Sequence, residues 1–217
     1  MKRFARITGT GSYLPPKIIT NFELEKKLDT SDEWITGRTG IKERRVVDGE
    51  STCDLALEAS KKALEMAKIS ASEIDLIILA TTTPDKIFPA TATLLQKRIG
   101  ANCPAFDLQA VCAGFVFALS TAQQYIENGV YNNVLVVGSE TMSRIVDWSD
   151  RSTAVLFGDG AGAVVLSQDN KTGIKFSKIH SDGSYLSALQ VNNNYINEAG
   201  YIEMTGNAVY KIAVNQL

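Results

Sequence analysis

Apolar residues along this chain form two kinds of pattern: continuous runs, which indicate buried strands, and spaced runs, which indicate amphipathic helices. The run Asp75–Thr83 (DLIILATTT) is typical of a strand buried on both faces, and Asn133–Gly138 (NVLVVG) repeats the pattern. Further strands are predicted at Phe4–Ser12, at Ala105–Ala110, and at Ala154–Phe157 and Ala161–Ser167, the last two as a hairpin around Gly158-Asp159-Gly160.

Helices are predicted between the strands, several with a recognisable start or stop. Ser31 and Ser51 are typical N-cap residues, Ser70–Glu73 is a capping box, and Gly100 ends a helical pattern. The predicted helices are Asn21–Leu28, one that starts after Ser31, one that starts after Ser51 with Leu55, Ala59, Ala63 and Ala67 at every fourth position, Ala90–Ile99, and Cys112–Asn128. This alternation predicts an α/β fold with a mixed, mainly parallel sheet.

The pattern changes after Thr172. Ile174–Tyr185 predicts a hairpin with its turn at Ser181-Asp182-Gly183, Asn192–Asn194 predicts a loop, and Gly206–Leu217 predicts an amphipathic helix. The helical pattern runs to Leu217 without Gly, Pro or a capping signal. We therefore expect the chain to be the front part of a longer protein.

Composition narrows the classes of function. The 217 residues are 45% hydrophobic and 21% charged, with a net charge of −2, so no basic surface suggests nucleic acid or an anionic membrane as a partner. The charged start of the chain does not resemble a signal peptide, and a cytoplasmic location is expected. With three cysteines, no CxxC pair and one histidine, neither a metal site nor a disulfide framework is expected.

Cys112 is the candidate nucleophile. It lies in Gln109-Ala110-Val111-Cys112-Ala113-Gly114-Phe115, between a predicted strand and a predicted helix. Unpaired N–H groups and the positive end of the helix dipole would stabilise its thiolate, and the small neighbours would let a substrate approach. The local sequence leaves a buried, inert cysteine as the alternative. For Cys53 and Cys103, packing is the favoured role.

Other motifs are less specific. Trp34 and Arg38 lie one helical turn apart, and their spacing alone favours a surface cation–π pair over a purine site. Gly158-Asp159-Gly160 lacks the features of a phosphate loop and predicts a tight strand connection. His180 is interpreted as structural, so the chain offers no convincing proton partner for Cys112.

With these residues in place, the sequence resembles the β-ketoacyl-acyl-carrier-protein synthase III family, the initiating condensing enzymes of bacterial fatty-acid synthesis. The resemblance runs from Ile7 to the last residue. Its most specific stretches are Asp29–Ile35 (DTSDEWI), Arg38–Ile41 (RTGI), Cys112–Phe115 (CAGF), Phe157–Gly162 (FGDGAG) and Asp182–Tyr185 (DGSY).

The resemblance implies a thiolase-like fold of two similar α/β halves in a homodimer. Residues 1–170 would form the N-terminal half, and residues 171–217 would begin the second. Cys112 would take an acetyl or other short acyl group from acyl-CoA, and malonyl-acyl carrier protein would then lose carbon dioxide and attack the thioester. No cofactor is implied, because the CoA thioester is a substrate.

The resemblance also assigns binding residues by position. Thr30, Trp34, Arg38 and Arg151 match positions around the adenine and phosphates of CoA, and Gly206 and Asn207 match positions along the pantetheine arm. Phe88, Met142 and Phe157 match the acyl pocket, with Phe88 reaching into the partner subunit.

The departures from the family pattern concern decarboxylation. The family's histidine and asparagine for this step, and its Gly-rich oxyanion segment, have no match in the 217 residues, and His180 does not occupy the histidine position. The main hypothesis is a condensing acyltransferase whose decarboxylating residues are not in this chain. The alternatives are a non-catalytic fragment that dimerises, or a related condensing enzyme with another acyl donor.

Overall fold

The computed structural model describes residues 2–192 and 200–216. Nine strands and seven α-helices are assigned within these residues. The strands are β1 (Phe4–Tyr13), β2 (Lys17–Thr20), β3 (Glu43–Val46), β4 (Leu76–Ala80), β5 (Ala105–Leu108), β6 (Asn133–Thr141), β7 (Asp159–Asp169), β8 (Leu189–Val191) and β9 (Ile202–Met204). The helices are α1 (Asn21–Glu25), α2 (Asp32–Thr39), α3 (Thr52–Ala67), α4 (Thr91–Ile99), α5 (Gly114–Glu127), α6 (Arg151–Ala154) and α7 (Gly206–Gln216).

The chain forms two compact units. The first unit comprises Met1–Pro15, Val47–Glu140 and Gly160–Ile179, and the second comprises Pro16–Val46, Thr141–Asp159 and His180–Leu217. Each unit is discontinuous in sequence, so a single boundary does not separate them. The boundary at residue 170 between two homologous halves stays a prediction.

A five-stranded mixed sheet is the centre of the first unit, with strand order β1-β7-β6-β4-β5. β4 pairs in parallel with both β5 and β6, and β1 pairs antiparallel with β7. All five residues of β4 are buried, as the continuous apolar run predicted. The mixed α/β sheet is therefore confirmed, with β4, β5 and β6 as its parallel part.

The two faces of the sheet carry separate apolar clusters. On β4, Ile77 and Leu79 belong to the cluster that includes α3 and α4, whereas Leu76 and Ile78 belong to the cluster that includes α5. This division follows the two-residue period of a strand. Helices therefore cover both faces, and β5 and α5 lead into and out of the segment that contains Cys112.

Two glycines of β1 allow α3 to lie against the sheet. A Cβ atom on Gly9 would be 2.1 Å from the carbonyl oxygen of Ala63, and one on Gly11 would be 2.1 Å from that of Ala59. Three of the residues predicted at every fourth position of α3 lie against these glycines, namely Ala59, Ala63 and Ala67. Backbone-to-backbone packing of this kind tolerates no side chain on β1 at either glycine.

Local capping places the helices that the sequence predicted. The side chain of Ser31 accepts a hydrogen bond from the N–H of Trp34 at the start of α2, and Ser51 and Asp54 form a capping box at the start of α3. Gly100 ends α4 in the left-handed conformation. α1 is shorter than predicted and ends at Glu25.

The hairpin predicted at Ala154–Phe157 and Ala161–Ser167 is wrong. Ala154 belongs to α6, because the Asp150 carboxylate accepts a hydrogen bond from the N–H of Ser152 and caps that helix. The following strand, β7, lies between β1 and β6 in the sheet and pairs antiparallel with β1, so residues 154–157 are not its partner. The partner lies about 150 residues earlier, so no local pattern could indicate it.

The hairpin predicted at Ile174–Tyr185 is also wrong. Residues 174–182 form no strand, and Asp182 instead caps the 3₁₀ helix Gly183–Ala188 by accepting from the N–H of Ser184. The strands of this region are β8 and β9, which pair antiparallel in the second unit. The predicted helix near the end of the chain is confirmed as α7. Of the predicted Asn192–Asn194 loop, the last two residues lie outside the described residues.

Candidate active site

Cys112 lies in the short 3₁₀ turn Val111–Ala113 that connects β5 to α5 in the first unit. Its thiol is exposed, whereas Cys53 and Cys103 are buried. Burial raises the pKa of the thiols of Cys53 and Cys103 and disfavours their thiolates. Of the three cysteines, Cys112 is therefore the one that a substrate can reach.

The turn changes one detail of the expected site. α5 begins at Gly114 and not at Cys112, and the N–H groups of Ala113 and Gly114 are already bonded to the carbonyl oxygens of Ala110 and Val111. The sequence had suggested that unpaired N–H groups face the thiol, but these two donors are already paired. The thiol still stands just before the positive end of the α5 dipole.

Val111, the residue before the nucleophile, adopts a φ of 48°. This left-handed conformation is unfavourable for a β-branched residue and persists only where the surroundings impose it. Strain of this kind concentrates at functional turns. Here the left-handed backbone of Val111 forms a sharp connection between β5 and α5. The sequence offered no sign of it, because valine does not favour this backbone.

A cavity of about 350 Å³ opens beside the thiol, and every residue that lines it belongs to the first unit. Its walls include small residues at the ends of β4, β6 and β7. The lining residues are Leu14, Ala80, Val111, Cys112, Phe115, Gly138, Ser139, Glu140, Gly160, Ala161 and Gly162. A Cβ on Gly138 would lie 3.3 Å from the Phe115 ring, so this glycine keeps space open between β6 and α5.

Glu140 is a residue of this cavity that sequence reasoning missed. Its carboxylate accepts hydrogen bonds from the N–H groups of Thr82 (2.8 Å) and Thr83 (3.1 Å), and from the hydroxyls of Thr83 (2.6 Å) and Thr81 (3.3 Å). It therefore holds the loop that follows β4. Its position near the carboxyl end of β6, a buried parallel strand, was the available signal, because the carboxyl ends of such strands border ligand sites.

A second group of predicted residues meets in the second unit. The guanidinium carbon of Arg38 lies 5.0 Å from the centroid of the Trp34 ring, and that of Arg151 lies 4.9 Å from it. We call Trp34, Arg38 and Arg151 the Trp34 stack. Both distances are within the range of cation–π attraction. The sequence had placed Trp34 and Arg38 on one helical face, and the structure adds Arg151 from α6.

Thr30 lies just before α2, in the same unit as the Trp34 stack. Its hydroxyl oxygen is buried, and no residue in the described part of the chain forms a hydrogen bond with it. Nearby, a guanidinium nitrogen of Arg151 donates to the carbonyl oxygen of Asp29 at 2.8 Å. A buried hydroxyl without a partner is unusual and leaves hydrogen-bonding capacity for a ligand.

The predicted acyl-pocket residues are distributed over both units. Met142 and Phe157 pack against one apolar cluster of the second unit, formed by Val146, Ala154 and Ile202. Phe88 belongs to the first unit, and its side chain is 83% exposed. The structure thus brings Met142 and Phe157 together and leaves Phe88 on the surface.

Gly206 and Asn207, the predicted pantetheine contacts, are exposed residues at the start of α7. His180 is exposed in a segment without regular structure, and its interpretation as a structural residue stays a prediction. Asp159 of the Gly158–Gly160 motif is buried and accepts hydrogen bonds from the N–H (2.8 Å) and hydroxyl (2.6 Å) of Ser143. The motif is therefore a structural connection at the start of β7.

Within residues 2–192 and 200–216, no group of three His, Cys, Asp or Glu side chains is arranged to hold a metal ion. None of the helices in this part of the chain is long and apolar enough to cross a membrane.

Comparison with known proteins identifies the family. The family model described as 3-oxoacyl-[acyl-carrier-protein (ACP)] synthase III matches residues 106–183, which include Cys112. Over 217 residues the chain is 69% identical to the beta-ketoacyl-[acyl-carrier-protein] synthase III of Vesicomyosocius okutanii subsp. Calyptogena okutanii (strain HA), and it covers 69% of that protein. The chain belongs to the β-ketoacyl-acyl-carrier-protein synthase III family. The resemblance stated from the sequence motifs is thereby confirmed.

Solved structures of synthase III proteins share the fold. The 3-oxoacyl-[acyl-carrier-protein] synthase III of Aquifex aeolicus VF5 is 49% identical, with a TM-score of 0.92 over 96% of this chain and 67% of its own. The priming β-ketosynthase from the R1128 polyketide biosynthetic pathway is 36% identical, with a TM-score of 0.90 over 99% of this chain and 67% of its own. The predicted thiolase-like α/β fold is therefore confirmed. The continuation of the second half beyond Leu217 stays a prediction.

Proposed function

We propose that this chain carries the acyl-loading site of a β-ketoacyl-acyl-carrier-protein synthase III. Cys112 takes a short acyl group, acetyl in the simplest case, from acyl-CoA, and the thioester is then condensed with malonyl-acyl carrier protein. The observation that carries the proposal is the exposed Cys112 thiol at a cavity of about 350 Å³, on a strained turn before α5. No cofactor is needed, because the acyl donor brings its own activated thioester.

The loading step exchanges one thioester for another. The Cys112 thiolate attacks the acyl carbonyl carbon, the bond from that carbon to the CoA sulfur breaks, and CoA leaves as a thiolate that takes up a proton. In the second half-reaction, malonyl-acyl carrier protein loses carbon dioxide and its carbanion attacks the Cys112 thioester. The Cys112 thiolate is then regenerated.

The Trp34 stack is proposed to bind the nucleotide end of CoA. The indole of Trp34 offers a flat face for adenine, Arg38 and Arg151 offer guanidinium groups for phosphate and for stacking, and Thr30 offers a free hydroxyl. At 4.9 Å, Arg151 lies in direct contact with Trp34 and leaves no space for a third ring between them. A base bound between the two would therefore displace the guanidinium of Arg151. Gly206 and Asn207 are proposed to contact the pantetheine arm.

The proposal for the acyl pocket includes a homodimer, because one pocket residue would come from the partner subunit. Met142 and Phe157 would line the pocket, and Phe88 would complete that of a partner subunit in a homodimer. The 83% exposure of Phe88 and the 75% exposure of the adjacent Ile87 support this role, because contiguous exposed apolar residues mark interaction surfaces. Sedimentation of the wild type and of Phe88→Asp tests it: a dimer that the variant loses is expected, and a wild-type monomer would contradict it.

Labelled acetyl-CoA tests the loading proposal. We expect acid-stable label on the wild-type chain, and none on Cys112→Ser, whose hydroxyl is a much weaker nucleophile than a thiolate. Equal labelling of both proteins would contradict the assignment of Cys112. Adding malonyl-acyl carrier protein should yield no condensation product from this chain, because the decarboxylating histidine and asparagine have no match in it; product formation would refute that expectation.

A related synthase with another donor is the second candidate, and the R1128 priming β-ketosynthase at 36% identity is the observation that favours it. A series of acyl-CoA donors of increasing length separates the two. Preference for acetyl-CoA supports the first proposal, and preference for a longer chain supports the second. A chain that takes label from no donor would support the third reading, a non-catalytic fragment.

A further inference from the structure

Arg44 is a buried cation that the proposed reaction does not use. It lies on β3 in the second unit, and only 4% of its surface is exposed. Burial lowers the pKa of its guanidinium, which shows that the charge is held in poorly solvating surroundings. A buried charge is unfavourable unless its donors are well satisfied, so its contacts indicate its role.

One end of the guanidinium holds the helix that carries Arg151. The Nε and Nη2 atoms of Arg44 donate to the carbonyl oxygen of Val155 at 3.1 and 2.6 Å. Val155 is the C-cap residue of α6, which begins with Arg151. Because α6 is only one turn long, this contact at its end restrains the whole helix.

The other end holds the helix that carries Trp34. The Nη1 atom of Arg44 donates to the side-chain oxygen of Asn21, which is fully buried. The amide nitrogen of Asn21 lies 2.7 Å from a carboxylate oxygen of Asp32, 3.2 Å from the hydroxyl of Thr36 and 2.8 Å from the carbonyl oxygen of Ile41. These acceptors lie at the start of α2, within it and just after it, so Asn21 restrains α2 on both sides of Trp34.

We propose that Arg44, acting through Asn21 and Val155, is a positioning residue that sets the separation of Trp34 and Arg151 and thereby the affinity for the adenine end of CoA. The inference rests on the proposed function of the Trp34 stack. Its physical basis is the planar fork of arginine, which presents donors in two directions at once. A lysine keeps the charge but places its donors on a single nitrogen at the end of an unbranched stem, so it does not reproduce the fork that bonds to Asn21 in one direction and to Val155 in another.

The test compares ligands that contain and lack the nucleotide. Calorimetric titration with CoA and with pantetheine measures how much the nucleotide end adds to binding, without depending on reaction at Cys112. For Arg44→Lys we expect about tenfold weaker CoA binding, equivalent to ~1.4 kcal/mol. Binding of pantetheine, and the maximal loading rate from acetyl-pantetheine, should stay within about twofold, because they need no adenine site.

Two further variants make the result specific. Arg6→Lys makes the same replacement at an exposed arginine that pairs with Asp169 in the first unit, and it should leave CoA affinity unchanged. Thr36→Val removes the hydroxyl that Asn21 contacts while keeping the shape of the side chain, and about twofold weaker CoA binding is expected, since one hydrogen bond contributes little net free energy. This milder variant decides the question if Arg44→Lys does not fold.

The outcomes separate the inference from the proposal beneath it. Unchanged CoA affinity in a folded Arg44→Lys overturns the positioning role, as does an equal loss of CoA and pantetheine, which would indicate general destabilisation. If Arg44→Lys does not fold, unchanged CoA affinity in Thr36→Val overturns it. Wild-type protein that binds CoA no better than pantetheine would overturn the nucleotide site itself, and the positioning role with it. Normal CoA binding without acyl transfer would contradict the loading proposal alone.

Discussion

Replacing Gly11 with alanine should destabilise the first unit strongly, although it adds a single methyl group. The new Cβ would lie 2.1 Å from the carbonyl oxygen of Ala59, 2.6 Å from the backbone nitrogen of Ala63 and 2.8 Å from the Cβ of Lys62. Ordinary van der Waals contact begins near 3.4 Å, so α3 and β1 would have to separate by about 1.3 Å. The atoms that clash are mostly backbone, which cannot rotate away.

The magnitude follows from the cost of overpacking. Extra methyl groups in a packed core cost ~1–3 kcal/mol, and the backbone clash places Gly11→Ala at about 3 kcal/mol. For a chain of this length, each kcal/mol lowers the melting temperature by ~2–4 °C, so a decrease of roughly 6–12 °C is expected in a thermal scan followed by circular dichroism.

Gly162→Ala is the matched control. Gly162 lies on β7 opposite Ser12 of β1, one residue from Gly11, and a Cβ there would meet no atom within 4 Å. Its melting temperature should stay close to that of the wild type, within the ~0.5 kcal/mol typical of substitutions that touch nothing. If Gly11→Ala melts no lower than Gly162→Ala, the close packing of α3 on β1 is refuted.

Two further predictions concern thiol reactivity and pH. Iodoacetamide should modify Cys112 at least ~100-fold faster than Cys53 or Cys103, because burial raises the pKa of those two thiols and a local opening of ~3 kcal/mol must precede their reaction. Peptide mapping measures the three rates, and equal rates would count against the assignment of Cys112. Hydrogen bonds from the backbone N–H and hydroxyl of Ser70 lower the pKa of Glu73, so this capping box contributes stability above the unfolded value of about 4.3 and loses it as pH falls through the lower folded value. Urea midpoints measured from neutral pH to about pH 3 should decline less for Glu73→Gln than for the wild type, and identical declines would contradict the role of this carboxylate.

Local patterns predicted the parts of the fold that local physics determines. The apolar run of β4 and the caps at Ser31 and Ser51 depend on neighbours within a few residues, so the sequence was sufficient for them. The strand predicted at Ala154–Phe157 is wrong because Asp150 caps a helix that includes Ala154, so the local capping signal outweighs the apolar pattern. The pairing of β7 with β1 depends on a distant partner, which periodicity cannot reveal.

The candidate site likewise has residues that the sequence predicted and residues that it did not predict. Cys112 was a candidate from its strand–turn–helix context. The spacing of Trp34 and Arg38 predicted their cation–π contact, whereas their role toward CoA came from the family resemblance. Glu140 and Arg44 were not predicted, because their roles arise from contacts with the Thr81–Thr83 loop and with Asn21 and Val155, which the fold brings together. A charged residue inside a short strand such as Glu43–Val46 gives no sign in the sequence that its side chain is buried.

The central claim is that Cys112 carries the acyl group. Incubation with acetyl-CoA, followed by digestion and mass spectrometry under mildly acidic conditions that preserve thioesters, tests it directly. The account predicts one acetyl group on the peptide that contains Cys112, removed by hydroxylamine as a thioester would be, and none on the peptides that contain Cys53 or Cys103. An unmodified Cys112 peptide, or an acetyl group on another residue, would contradict the account.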